Sequence, residues 1–315
     1  MLAGVLDEAL RVYGAETTRL RFLPENRYNR RLFPAQGQYD WFSGQALYCL
    51  VRHLRPRQVV EISCANGYSS LFMALGLQEN GAGRLETFEL SRRNARRAEE
   101  NFRRFGVEPW VRVHVGDARR TIQEIALEQT DLLFLDSLHT EAFARWYLGA
   151  LVPRLAPRVP VHVHDILPRH ARVRHFDGPP FAGGWTVSWL YRAAVRLLRP
   201  GQFEHTRIPA SAVHAHNGRL TYDGNHFAEG RYLNRLAERL AADDYAYLYD
   251  LADRYPELGP REFDRQAVGR KNAFDQPMEW NESLWCYAGP LAAAYAAAQA
   301  GASVPALAAP LERRA

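Results

Sequence analysis

The chain has 315 residues and a mass of 35.9 kDa, the length of two domains or of one α/β domain with additions. Hydrophobic residues make up 47% and charged residues 24%, which excludes a disordered chain and supplies apolar material for a full core. The net charge of +5, with 40 basic residues against 35 acidic ones, is too mild to indicate nucleic-acid binding.

From the N-terminus, Met1–Phe22 interleaves charged and apolar residues at helical spacing and has no signal-peptide apolar run. Asp40–Leu54 sets Phe42, Ala46, Cys49, Leu50 and His53 on one helical stripe, so residues 1–57 are expected to form a helical cap. Short apolar runs follow at Val59–Ile62, Leu85–Leu90, Trp110–Val115, Leu132–Leu135 and Val159–Val163, with helical patterns between them. That alternation predicts βαβ units and a mostly parallel sheet over residues 58–170, with uniformly apolar Leu132–Leu135 as its central strand. Ser91 is a ready N-cap for a helix to Phe105, whose arginines are expected to form a solvated outer face.

Beyond Asp165 the pattern loosens. Phe176–Trp185 is a Gly/Pro loop long enough for a lid, Thr186–Leu198 reads as a helix, and Asn217-Gly218 marks a hairpin. Tyr232–Tyr255 reads as one long amphipathic helix, a candidate dimer surface together with the N-terminal helices. Residues 171–290 are therefore expected to shape the substrate pocket, and residues 291–315 to form an Ala-rich flexible tail. Cys49, Cys64 and Cys286 are too few and too scattered for a disulfide framework or zinc knuckle, which suits a reducing, cytoplasmic setting. The uncharged stretch Gly289–Pro310 contains Gly and Pro and is too weakly apolar for a membrane span.

In an open α/β sheet, ligands lie beyond the carboxyl ends of the strands. The first strand ends in Glu61-Ile62-Ser63-Cys64-Ala65-Asn66-Gly67-Tyr68-Ser69-Ser70, where small residues admit a ligand close to the backbone. The second ends in Glu89, placed to accept hydrogen bonds from two ribose hydroxyls. Asp117, Asp136 and Asp165 end the next three. The chain lacks both GxGxxG and GxxxxGK[ST], which weighs against a dinucleotide oxidoreductase and a P-loop NTPase. A nucleoside ligand without pyrophosphate remains, and S-adenosylmethionine fits that description.

The run VVEISCANGYSSLFMALGLQENGAGRLETFEL, followed in order by VRVHVGDAR, DLLFLDSLHTEAFARWYL and VPVHVHDI, resembles bacterial class I S-adenosylmethionine-dependent methyltransferases. The resemblance covers about residues 36–170 and is nearest to the O-methyltransferases of natural products and sugars. It implies a Rossmann-like doubly wound sheet with N-terminal helices and a C-terminal α+β elaboration. It also implies that Ser63, Ala65, Gly67 and Ser69 line the methionine and ribose, with Ser63 standing where many relatives have Gly. Glu89 would bind the ribose hydroxyls, Asp117 and Ala118 would flank the adenine, and Glu61 would orient the loop from beneath.

Methyl transfer to a hydroxyl needs in-line alignment and loss of the hydroxyl proton, to a base or with the help of a metal. Asp136-x-x-His139 resembles an element of metal-dependent sugar and polyketide O-methyltransferases. That likeness implicates Asp136 and Asp165 as Mg²⁺ ligands and His139 as the base, with Asp136 also a catalytic and cofactor-binding candidate. Two acids end the fifth strand in those relatives, whereas His164-Asp165 stands here. His164 is therefore a third candidate ligand or an alternative base. The choices are a weaker Mg²⁺ site, a site for Mn²⁺ or Zn²⁺, or a metal-free site. His162 is expected to pack within the sheet, and His139 has an alternative as a helix cap.

Trp280-Asn281-Glu282, Phe181 and Trp185 are candidate acceptor contacts, and His214 and His216 fit a surface strand. The expected function is methylation of a hydroxyl on a small molecule, with no nucleic-acid or membrane partner. The rivals are N- or carboxylate methylation, for instance on a peptide, and an idle methyltransferase-like scaffold; a nicotinamide-dependent oxidoreductase stands further off.

Overall fold

The computed structural model describes residues 1–22, 41–169, 172–175, 213–216, 219–223, 228–252, 254–258 and 283–301. Helix α1 (Leu2–Tyr13) buries Leu2, Leu6, Ala9 and Leu10, and a 3₁₀ segment leads away from it. Helix α2 (Trp41–Leu54) is buried on all sides from Phe42 to Val51, a wider face than the stripe read from sequence, because it lies between α1 and α3 (Tyr68–Asn80). Gly44 makes that approach possible, since a Cβ there would stand 2.4 Å from the Phe72 ring.

Strands β1 (Gln58–Ile62), β2 (Arg84–Glu89), β3 (Val111–Val115), β4 (Leu132–Leu135) and β5 (Pro160–His164) coincide with the five apolar runs to within a residue or two. Helices α3, α4 (Arg92–Arg104), α5 (Ala118–Thr121) and α6 (Glu141–Ala150) alternate with them. Ser91 caps α4 by accepting a hydrogen bond from Asn94 N, and Ala95, Ala98 and Phe102 face inward while most of its arginines are exposed.

Seven strands form the main sheet in the order β3-β2-β1-β4-β5-β10-β9, where β9 is Tyr245–Tyr247 and β10 is Ser283–Tyr287. The first five strands run parallel, and β10 is antiparallel to both β5 and β9. β4 is the middle strand, and all four of its residues are buried. The strand order turns back between β1 and β4, so the ligand crevice of such a fold opens above these two strands. Alternation along each strand feeds two cores. Val59, Leu132, Phe134 and Trp285 pack with α1, α2 and α3. Val60, Leu133, Leu135 and Leu284 pack with α6, α7 (Ala228–Ala237) and α9 (Ala288–Gln299).

Two expectations are corrected. Tyr232–Tyr255 is not one helix: α7 stops at Ala237, Tyr245–Tyr247 joins the sheet, and a short α8 (Tyr249–Ala252) follows. Pairing of Tyr245, Ala246 and Tyr247 with Cys286, Trp285 and Leu284 satisfies their backbone groups in the ladder and buries Ala246. The boundary at residue 291 also falls inside packed structure, because α9 continues to Gln299 and buries Leu291 and Ala294.

A separate three-stranded sheet has the order β6-β8-β7, from Arg172–His175, Arg219–Asp223 and Val213–His216. His216 stands opposite Arg219, the register the hairpin reading requires, while Asn217 and Gly218 lie outside the described residues. The expected lid at 176–185, the helix at 186–198, the segment 280–282 and residues 302–315 also lie outside them, as do the side chains of His214 and His216. All three cysteines are buried and free. Among the described residues no helix is long and apolar enough to cross a membrane.

Candidate active site

The loop after β1 is built on two buried carboxylates. Glu61 is fully buried and accepts hydrogen bonds from the hydroxyls of Ser69 (2.6 Å), Ser70 (2.5 Å) and Thr87 (2.6 Å). It therefore ties β1 and β2 to the start of α3, and the Ser69 hydroxyl is committed to it. Burial is the main influence on Glu61 and raises its pKa against these three donors. Glu89 grips the loop from β2, accepting from Ala65 N (2.9 Å) and Ser91 N (2.8 Å).

Ser63 (φ 75°), Ala65 (φ 47°) and Gly67 (φ 83°) all have left-handed backbone, so the loop coils tightly above Glu89. At Gly67 a Cβ would also stand 2.6 Å from Phe102. The loop's small side chains and the carboxylate beneath it suit a nucleoside with a free ribose edge. Asp117 caps α5 and is held by the Arg119 guanidinium at 2.6 Å, which keeps its carboxyl below the ordinary range. Gly116 N donates to Glu89 O at 2.9 Å, so Asp117 and Ala118 follow directly on the Glu89 end of β2.

Asp136, His139 and Asp165 meet at the carboxyl ends of β4 and β5, with one ligand atom from each within 4.8 Å of the others. His139 Nε2 lies 3.1 Å from Asp165 Oδ2 and 3.7 Å from Asp136 Oδ1. Its Nδ1 donates to Glu229 Oε2 at 2.9 Å, and Tyr147 OH donates to Glu229 Oε1 at 2.8 Å. Asp165 has left-handed backbone (φ 58°), which aspartate tolerates better than most residues.

Burial pushes Asp136 up to about 6, with Asp165 and Glu229 adding to the shift and His164 and His139 opposing it. Burial disfavours the charge on His139, but Asp165, Glu229 and Asp136 outweigh it and raise the imidazole to about 9. Three carboxylates around one imidazole thus make a cluster that favours positive charge. Two carboxylate oxygens and an imidazole nitrogen are also a chemically suitable donor set for a divalent ion.

His164 falls outside this set and touches Asp165 through Nε2 at 3.3 Å. His162 is fully buried, its ring stacked 4.4 Å from Phe134 and edge-on to Trp285 at 4.6 Å. It is a core residue, as expected. The cap of α6 is Thr140, whose hydroxyl accepts from Phe143 N, so His139 is not the cap.

Three residues of this region escaped the sequence reading. Glu229 lies 90 residues from His139 and looks like any surface acid on a helix. Leu90 and Leu138 are 73% and 52% exposed at the ends of β2 and β4, the strands on either side of β1. An isolated leucine next to a strand-end acid or Asp-Ser pair was the available signal for both.

Residues 60–166 match the methyltransferase domain family. A catechol O-methyltransferase of Mycobacterium tuberculosis (strain ATCC 25618 / H37Rv) is 33% identical over 185 residues, covering 58% of this chain and 75% of that protein. Among solved structures, cofactor-bound Rv0187 from MTB is 26% identical, covers 41% of this chain and 58% of its own, and has a TM-score of 0.38. The O-methyltransferase TomG from Streptomyces achromogenes, involved in tomaymycin synthesis and solved with S-adenosylmethionine, is 23% identical. It covers 48% of this chain and 71% of its own, with a TM-score of 0.40.

Proposed function

We infer the reaction from one premise: this chain belongs to the S-adenosylmethionine-dependent O-methyltransferases. It transfers a methyl group to a hydroxyl of a small molecule. Bound S-adenosylmethionine supplies a methyl carbon made electrophilic by its sulfonium. The Ser63–Gly67 loop holds the cofactor's methionine and ribose, with Glu89 at the ribose hydroxyls and Asp117, Ala118, Leu90 and Leu138 around the base. Glu61 supports the loop from below through Ser69, Ser70 and Thr87.

The observation that carries the acceptor chemistry is the Asp136–His139–Asp165 cluster beside that loop. Asp136, His139 and Asp165 would hold a divalent cation, whose chemistry there would be to lower the pKa of an acceptor hydroxyl. Against burial, Asp165, Glu229 and Asp136 raise the His139 imidazole to about 9, so at neutral pH it holds a proton that a bound cation would have to displace before Nε2 could serve as a ligand. His164 contacts Asp165 through Nε2 at 3.3 Å. The acceptor hydroxyl is held at the mouth of this cluster, so that alignment with the methyl does most of the catalytic work.

Catechol is the first acceptor to test, given the activity named for the mycobacterial relative. Purified chain is incubated with S-adenosylmethionine and catechol after chelation, then with Mn²⁺ or Mg²⁺ restored, and methylated product is read by mass spectrometry. Product that appears only with cation, and fails in Asp136→Asn, supports the reading. Equal turnover with chelator present, or in Asp136→Asn, removes the cation from the mechanism.

A further inference from the structure

Glu229 lies in the first turn of α7. Glu229 is 3% exposed, and both its carboxylate oxygens are engaged, one by His139 Nδ1 and the other by Tyr147 OH from α6. Its backbone N–H also donates to His139 O at 3.3 Å. Helix α7 is thereby fastened to the β4–α6 loop by main chain and side chain together, and the carboxylate has little freedom to turn away.

A carboxylate on Nδ1 fixes the histidine tautomer, aims Nε2 outward and strengthens it as a donor; in metal sites, loss of such a partner typically weakens metal binding about 10–100-fold. Here Nε2 points to Asp136 and Asp165. Mg²⁺ prefers hard oxygen ligands in near-ideal octahedral geometry, whereas imidazole suits transition metals better.

We propose that Glu229, held by Tyr147, is a positioning residue that presents His139 Nε2 to the cation and gives the centre a preference for Mn²⁺ over Mg²⁺. The inference rests on the cation reading given under the proposed function. The imidazole itself lies within residues 136–165, and the group that orients it arrives from the C-terminal elaboration.

The test is calorimetric titration of Mn²⁺ and of Mg²⁺ into the full chain loaded with S-adenosylhomocysteine, for wild type, Glu229→Gln, Tyr147→Phe and Asp136→Asn. Wild type is expected to bind Mn²⁺ at least about tenfold more tightly than Mg²⁺. Glu229→Gln should lose about 10–100-fold in Mn²⁺ affinity with less change for Mg²⁺ and none for S-adenosylhomocysteine, and Tyr147→Phe should shift the same way by less. Wild-type Mn²⁺ affinity in Glu229→Gln overturns the positioning role, as does a parallel loss of S-adenosylhomocysteine affinity, which marks a purely structural residue. A wild-type preference for Mg²⁺ overturns the selectivity. No cation binding by wild type defeats the cation reading itself, and this inference with it.

Discussion

At Ser63 the backbone has φ 75°, a conformation that costs a non-glycine residue about 1–2 kcal/mol. This gives a physical reason for Gly at the corresponding position in the relatives the sequence resembles. Ser63→Gly removes the strain but enlarges the unfolded ensemble, so the net gain should be about 0.5–1 kcal/mol. Urea unfolding of the two proteins measures it, and a loss of stability would mean that the Ser63 side chain makes a compensating contact. Glu61 offers a pH test. Its folded pKa is raised, burial being the largest cause, so its contribution to stability is present below the ordinary carboxyl value near 4.5 and disappears as pH rises through the raised value. Wild type therefore carries the cost of a buried charge more fully at pH 8 than at pH 5. Glu61→Gln carries no such charge but leaves one amide group poorly matched to three hydroxyl donors. Its deficit relative to wild type is expected to narrow from pH 5 to pH 8. A deficit that widens over that range would show that Ser69, Ser70 and Thr87 outweigh burial.

Among the elements, α7 links parts that sequence separates. Beside Glu229, its Asn234 donates to Leu167 O at 2.8 Å and accepts from Tyr247 OH at 2.7 Å, joining the segment after β5 to β9. Asn234→Ala leaves two buried or half-buried polar groups without that partner, and should cost about 2–3 kcal/mol in thermal or urea unfolding. A cost below about 0.5 kcal/mol, the scale of an ordinary surface substitution, would mean that water replaces the amide without loss. The same helix shows where sequence patterning stops. Strands β1 to β5 were legible because each is a short apolar run between helical stretches, and β4 because Leu132–Leu135 has no polar face to expose. β9 was not legible: Tyr-Ala-Tyr continues the apolar spacing of α7, and only the ladder to β10 makes it a strand. β10 itself, Ser283–Tyr287, forms between distant partners, one of them 119 positions earlier at His164 in the register, and no local signal announces such a pairing.

At the scale of the whole molecule, the proposed function divides the carboxyl edge of the sheet into a cofactor side over β1 and β2 and a cation side over β4 and β5. The residues assigned to both sides were readable as candidates because Glu89, Asp136 and Asp165 each lie at or just beyond the end of an apolar run. The set was only partly readable: His139 lies beside Asp136 and Asp165, and the Glu229 that holds its other nitrogen comes from 90 residues further along the chain. This division makes the cofactor side separable in experiment. A ligand that binds only the folded chain stabilises it by about 2.7 kcal/mol at one hundred times its dissociation constant. S-adenosylhomocysteine at that excess should therefore raise the unfolding temperature of wild type measurably in a thermal-shift assay. Asp136→Asn, altered on the cation side alone, should keep that shift. Glu89→Gln keeps an acceptor for one of the two backbone N–H groups but removes the charge that faces the ribose on this reading, and should lose most of the shift, measured against its own ligand-free unfolding temperature. A full shift in Glu89→Gln would place the ribose elsewhere, and loss of the shift in Asp136→Asn would mean that the two sides of the edge form a single binding unit.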